Sequence, residues 1–425
     1  MPGWAVIADD ITGAADTGVQ FLPAFAPVYL LDHRALSLEA FEHPPQAISV
    51  FTSSRGLAGA EAGRVVLAAG RAIRGFHPQR VYKKIDSALR GHIGAELEAV
   101  MEALDLPFSI IAPAFPEQGR VTVGGVHLIH GVPAAETEMG RDPVTPVTES
   151  ALPKWIGAQT RWPVAHVGIE TIDAGIEAVA TEIERQRSCG ARHIGFDAAR
   201  TEHLDRIARL ALNRFPEALL CGSAGLAQRL VRQLPRRRAF EAGGPDAGLR
   251  ADAGRFLFVC GSASETLRLQ ASVLAQQAGV AVETLAPAAL LGDGAPSVRE
   301  AALRRAAAAF SEKDLVLQLS APERGAAAGE PRRLVWKLAE FAVAVMARAK
   351  TAGLFLSGGD TAIAVLEQLD VTAVRLEREL SSGLVYGTIA GGPLSGRPVV
   401  TKAGAFGRPE ALFDLHRRLR PAEHA

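Results

Sequence analysis

Cysteine is scarce in this chain, three among 425 residues, and Cys189, Cys221 and Cys260 form no C-x-x-C pair and have no histidine at metal-ligand spacing. That excludes a disulfide framework and a zinc ribbon. Each cysteine lies in or beside an apolar segment, so all three are expected as reduced core thiols in a reducing compartment. Net charge is lacking too: 46 basic and 46 acidic side chains cancel, which leaves no global field for nucleic acid or an anionic membrane surface. No apolar run approaches the roughly 18 residues of a membrane span, and strand-like sequence begins at Trp4 with neither a charged n-region nor an apolar h-region before it. A cytoplasmic protein with no nucleic-acid and no membrane partner is expected. Three fingerprints are also missing, G-x-x-x-x-G-K-[ST], G-x-G-x-x-G and G-x-S-x-G. Their absence argues against a P-loop, a standard dinucleotide fold and an α/β-hydrolase elbow.

What the chain has is the composition of a globular protein, 48% hydrophobic and 22% charged, and length for about two or three domains at roughly 150 residues each. Short β-branched runs alternate with longer helical patterns, the signature of parallel sheets covered by helices. In the first half the expected strands are 4–8, 28–31, 48–51, 80–85, 108–112 and 193–196, and the expected helices 58–73, 94–104, 173–187 and 204–214. The segment "VTVGGVHLIHGV", 121–132, reads as a β-hairpin about its Gly-Gly pair. From Arg236, "RRRAFEAGGPDAGLRADAGR" carries charge, Gly and Pro without periodicity, as an exposed connection does. Beyond it, strands at 256–260, 280–285, 315–319 and 354–356 alternate with helices at 265–278, 298–310 and 332–349. The expected architecture is therefore two α/β domains with mainly parallel sheets, 1–238 and 254–425, and an active-site cleft between them.

In open α/β sheets ligands sit at the carboxyl ends of strands, and here the residues after the strands are polar. Asp9 and Asp10 follow the first strand, Arg55 the third, Lys84, Asp86, Ser87 and Arg90 the fourth, and Glu117, Gln118 and Arg120 the fifth. If these strands are neighbours, one rim carries carboxylates and cations together. That mixture suits a small polyhydroxy acid, a guanidinium or ammonium meeting its carboxylate and carboxylates accepting from its hydroxyls. Helix caps and surface ion pairs are the plain alternative for any one of these residues. In the second half the comparable places are glycine-rich: "VCGSASETL", "LSGGDTAIAVL" and "TIAGGPLSGRPVVTKAGAFG". Small residues at a helix N-terminus leave backbone N–H groups free for phosphate oxygens. Three such loops in one domain point to a nucleotide across the cleft.

The stretches "ADDITGAADTG", "KKIDSALRGHIGAELE", "APAFPEQGR", "DPVTPVTES", "CGSAGLA", "CGSAS", "LSGGDT" and "TKAGAFG", spread from Ala8 to Gly407, together resemble the four-carbon acid sugar kinases. The resemblance implies an N-terminal domain for the sugar acid, a C-terminal domain for ATP, and phosphorylation of the terminal hydroxyl of a four-carbon aldonic acid. Carried over residue by residue, it implies Asp10, Arg55, Lys84, Ile85, Asp86 and Ser87 on the sugar-acid side. On the nucleotide side it implies Ser262 or Ser264, then Gly358, Gly359, Asp360 and Thr361, and the run Gly404, Ala405, Phe406 and Gly407. Ala403 and Ala405 stand where relatives often carry a hydroxyl and an amide, so backbone contact is expected there. The form "KIDSALRGHIG" is nearer the threonate type than the 3-oxo-tetronate type, which orders the substrates as threonate, erythronate, 3-oxo-tetronate.

Phosphoryl transfer to an alcohol is mostly positioning and charge neutralisation. Asp10 and Asp86 are both candidates to orient the hydroxyl and accept its proton, and the sequence does not choose between them. Asp9 is expected to cap a helix or brace its neighbour, Lys84 or Arg90 to neutralise transferred charge, and Arg55 to clamp the substrate carboxylate. ATP and Mg²⁺ are the expected cofactors, with the Mg²⁺ ligands unassigned, and the partners are the small sugar acid and ATP, with a homodimer left open. Two other readings stand beside this one. A binding or regulatory protein would not turn over, and a sugar-acid isomerase or dehydrogenase is disfavoured by the missing dinucleotide fingerprint.

Overall fold

The run WAVIA, Trp4–Ala8, is apolar without alternation, as suits a strand covered on both faces, and all five residues are buried. The same holds for VYLLD, AISVF and SIIA. In the computed structural model, which describes residues 2–37, 41, 44–236, 254–262, 264–291, 295–320, 330–404 and 407–420, the chain forms two units, Met1–Phe240 and Glu241–Ala425.

The first unit carries β1 (Trp4–Ala8), β2 (Val28–Asp32), β3 (Ala47–Phe51), β4 (Arg80–Lys84), β5 (Ser109–Ala112), β6 (Arg120–Val123), β7 (Val126–Ile129), β8 (Val132–Pro133), β9 (Val164–Val167), β10 (His193–Phe196) and β11 (Leu219–Gly222). Eight of them pair in the order β2-β3-β1-β4-β11-β5-β10-β9, every pair parallel. Ala8 stands opposite both Phe51 and Lys84, and Gly222 opposite both Lys84 and Ala112. Five strands thus end flush on one edge. The chain runs from β1 outward to β2 and β3 and then returns to β4 on the other side, so the topological switch point of this sheet falls at β1 and β4.

β6, β7 and β8 form a separate antiparallel sheet. Gly124 and Gly125, at φ +58° and +77°, make the two-residue loop that joins Val123 to Val126. The hairpin expected over 121–132 is therefore a three-stranded sheet. The helix expected over 173–187 runs Ile176–Ser188, and a separate short helix, Ile169–Asp173, precedes it, because Gly175 at φ +112° interrupts the helical backbone. Cys221 and Cys260 are buried, but Cys189 is exposed, at the end of the second of those helices. Its flanks, Ser188 and Gly190, are exposed or half-buried as well, which corrects the expectation of three core thiols.

The second unit carries β12 (Arg255–Cys260), β13 (Ala281–Leu285), β14 (Leu315–Leu319), β15 (Thr351–Ser357), β16 (Ala373–Ser381), β17 (Leu384–Ile389) and β18 (Pro398–Lys402). Their order is β13-β14-β12-β15-β18-β17-β16, parallel except at β16–β17 and β17–β18. Cys260, Ser357 and Lys402 are in register at adjacent carboxyl ends, and here the switch point lies at β12 and β15. Phe256, Phe258 and Phe355 on one face pack against Leu267 and Leu274 of helix Glu265–Ala278 and Leu412 and Leu415 of helix Ala411–Leu419.

Candidate active site

Immediately beyond β1 the backbone of Asp10 is extended, and its carboxylate accepts from Gly13 N at 2.9 Å, which caps helix Ile11–Gly18. The cap is thus Asp10, while Asp9 does something else. Arg55, arriving from β3, donates to Asp9 through Nε and Nη2 at 2.7 and 2.9 Å and to Asp10 Oδ2 through Nη1 at 3.0 Å. This forked pairing on a buried carboxylate is the strong form of the charge-assisted bond. Gly91, at φ +95°, leaves the room, since a Cβ there would stand 3.0 Å from Asp9 Oδ2.

From β4, successive side chains take opposite faces, and Lys83 and Lys84 separate accordingly. Lys83 goes into the core, where its ammonium meets Glu96 at 2.7 Å with both side chains almost wholly buried. Ser54 donates to the same Glu96 at 2.6 Å. Lys84 turns to the rim, and Gly13 permits it, because a Cβ there would lie 2.5 Å from Asp10 Oδ1 and 2.9 Å from Lys84 Nζ. Among the described residues the Lys84 ammonium has no hydrogen-bond partner, and it acts on Asp10 and Asp86 through space. Asp86 is gripped by Arg90 Nε at 2.8 Å, and Arg90 Nη1 continues to Asp142 at 3.3 Å. Asp142 is itself fixed by the amides of Val144 and Thr145, both at 2.9 Å.

Burial pushes the Asp10 and Asp86 carboxyls up, but Arg55 and Lys84 at Asp10, and Arg90 and Arg55 at Asp86, outweigh it and hold both below the usual range. Both are ionised at neutral pH. His127 of β7 is pushed down to about 4 by burial. The neutral ring donates from Nε2 to the Ser87 carbonyl at 2.8 Å, and its Nδ1 meets the Thr122 hydroxyl at 3.0 Å.

Of the residues the sequence singled out, Asp10, Arg55, Lys84 and Asp86 come together on this rim. Ile85 is buried, its amide donating to Gly222 O at 2.9 Å, so any contact it makes runs through the backbone. Ser87 is held by His127, whereas Glu117 turns to Thr201 and Arg229. The roles of Asp9 as the Arg55 partner, of Asp142 and of His127 were not read from the sequence. "DPVTPVTES" was noticed, but nothing in its spacing tells that Asp142 returns to Arg90.

In the second unit, Ser262, Gly358, Thr361 and Gly404 converge. A Cβ on Gly404 would stand 2.6 Å from Ser262 Oγ, and one on Gly358 would stand 3.4 Å from Thr361 Oγ1. Ser264 N donates to Ser262 Oγ at 3.3 Å and Gly358 N to Lys402 O at 3.1 Å. Gly359 and Asp360 form the first turn of helix Gly359–Gln368. Gly407, at φ +93°, lies beside the Lys402 stem, while Ala405 and Phe406 fall outside the described residues.

Residues 4–230 match a family model described as a sugar-binding N-terminal domain, and residues 257–412 one described as a nucleotide-binding C-terminal domain. A D-threonate kinase of Bordetella bronchiseptica is 33% identical over 99% of this chain and 98% of its own. The chain belongs to the four-carbon acid sugar kinase family. It is an enzyme, a phosphotransferase with an alcohol group as acceptor, so the binding-only and dehydrogenase readings fall away. A D-erythronate kinase of Heliobacterium modesticaldum is 29% identical over 97% of this kinase and 95% of its own chain. A crystal structure from Salmonella typhimurium LT2 superposes with a TM-score of 0.80 at 24% identity, covering 98% of both chains, which establishes the fold. No helix among the described residues of this family member is long and apolar enough to cross a membrane.

Proposed function

We propose that this kinase transfers the γ-phosphate of ATP to the terminal hydroxyl of a four-carbon aldonic acid, threonate before erythronate and 3-oxo-tetronate, with the acid bound by the first unit and ATP by the second. The observation that carries the reading is the rim at β1, β3 and β4, where Asp10, Arg55, Lys84 and Asp86 surround one point with mixed charge. The order of substrates rests on the form "KIDSALRGHIG" and on the higher identity to the threonate kinase relative.

The two carboxylates are not equivalent in this reading. Asp10 accepts from three different groups, the Thr12 hydroxyl, the Gly13 amide and Arg55 Nη1, with Arg55 Nη2 3.0 Å away as an ion-pair contact, which ties both its oxygens to the helix start and to Arg55 and suits it to hold Arg55 in place. Among the described residues Asp86 is met by Arg90 alone, closely only through Nε at 2.8 Å and otherwise at 3.4 Å, so Asp86 is the more open of the two to a substrate hydroxyl and is assigned to orient it and accept its proton. Lys84, a cation without a hydrogen bond of its own among the described residues, faces the charge that moves. Arg55 offers the substrate carboxylate only the outer side of a guanidinium already bound to two aspartates.

No cluster of three or more His, Cys, Asp or Glu side chains around a common point occurs among the described residues. That donor set fits a Mg²⁺ held by nucleotide phosphates and water rather than by a protein cage. When bound, the ion neutralises phosphate charge.

ADP release measured over threonate, erythronate and their 3-oxo forms, with the product phosphate located by phosphorus NMR, tests the reaction. Threonate is expected to give the highest kcat/KM and a 4-phosphate, and phosphate on another carbon would refute the reading. On the nucleotide side, Gly358 stands at φ +97°, where an L side chain is strained. Gly358→Ala is expected to raise KM for ATP by about 10- to 100-fold through misplacement of the loop while KM for the acid stays within twofold, read from initial rates.

A further inference from the structure

Lys402 closes β18 with 1% of its surface exposed and is the only buried cation among the described residues of the second unit. Buried ammonium groups are ordinarily paired with carboxylates, as Lys83 is with Glu96. Lys402 is not. Its Nζ donates to the carbonyls of Ala403 and Gly404, both at 3.1 Å, which leaves one N–H without an acceptor among the described residues. Beside it in register, Ser357 is fully buried with its Oγ unpartnered. A cation and a hydroxyl, both dry and both short of an anion, lie at the carboxyl ends of adjacent strands, next to the start of helix Gly359–Gln368 and beneath Gly404 and Gly407.

We propose that Lys402 is a phosphate-binding residue of the nucleotide site, its ammonium supplying the positive charge that the glycine loops around it lack. The proposal rests on the reading that the second unit binds ATP. Helix dipoles and backbone N–H groups contribute only partial charges to a triphosphate, and a buried ammonium contributes a whole one.

The charge of Lys402 is then set by its occupant. Burial pushes the empty-site ammonium down to about 8, and the titratable group acting on it is Cys260. Burial holds the Cys260 thiol up at about 12, so it stays neutral. Ser357, its register partner on β15, is uncharged, as is Gln270 of helix Glu265–Ala278, which with the Lys402 stem borders Gly407. A phosphate raises the ammonium back toward its ordinary value, so binding at pH 8 takes up about half a proton, binding at pH 6 takes up none, and affinity falls as pH rises above about 8.

Titration calorimetry of the full chain with MgATP, at pH 6 and pH 8 in buffers of different ionisation enthalpy, tests this. The wild type is expected to show proton uptake at pH 8 only. Lys402→Met is expected to bind about 10- to 150-fold more weakly and without proton uptake. Lys402→Arg, which stays charged at both pH values, is expected to keep binding and lose the uptake, and it carries the test should the methionine variant fail to fold. Unchanged affinity and uptake in Lys402→Met would overturn the proposal alone. A wild-type chain that binds no ATP would overturn the nucleotide reading and this proposal with it.

Discussion

Asp86→Asn is expected to lower kcat by about 10²- to 10⁴-fold, the usual loss when a positioned proton acceptor is removed, with ATP affinity unchanged. Asparagine keeps the size of the side chain and one carbonyl oxygen for Arg90, so the rim survives while the charge that orients the hydroxyl does not. Asp10→Asn makes the comparison informative. Asparagine caps a helix about as well as aspartate, and Arg55 keeps its forked partner Asp9, so this variant is expected to lose less in kcat than Asp86→Asn. Single-turnover rates at saturating ATP and acid decide the matter. A larger loss in Asp10→Asn would exchange the two roles.

Glu96→Ala is expected to destabilise the first unit by about 3–5 kcal/mol, because it strands the Lys83 charge in the core. In the intact protein burial alone would lower the Lys83 pKa, but Glu96 and Asp9 outweigh it and hold the group above its ordinary value. Stability from that shift is present at neutral pH and is lost only as pH rises through the folded-state value. In Glu96→Ala burial remains and its main opponent is gone, so the unfolded state binds the proton more readily and stability rises with pH instead. Urea denaturation between pH 7 and pH 10 is expected to show a contribution from Lys83 that is flat in the intact protein and rises with pH in Glu96→Ala. Lys83→Met combined with Glu96→Leu is expected to recover most of the loss, since no charge is then left in the core.

The rim was legible because its physics is local. An apolar run that ends in Asp-Asp, or in Lys-Ile-Asp-Ser, announces a buried strand meeting a polar edge, and the parallel register of β1, β3 and β4 then aligns those ends without further information. What stayed hidden depends on distant partners. β11 is Leu219–Gly222, four residues too short to show a period, and it is a strand because β4 and β5 flank it. β16 carries Arg375, Glu377, Arg378 and Glu379 and has a largely half-buried surface, so its charges disguise a hairpin that the Ser382-Gly383 turn alone betrays. Lys402 sat inside a noticed motif, yet only the fold reveals that no carboxylate among the described residues pairs with it.

The flush strand ends of the first unit also bear on how the kinase is made. Asp10, Arg55 and Asp86 are strangers in the chain, joined only when β1 is already clasped between β3 and β4. Loop closure must be met before such contacts give anything back. No isolated segment can therefore carry a weak, primitive version of the rim, whose charges meet only with the closing of the sheet. The groups that brace the rim, Asp142 on Arg90, His127 on Ser87 and β11 beside β4, come later still in the chain.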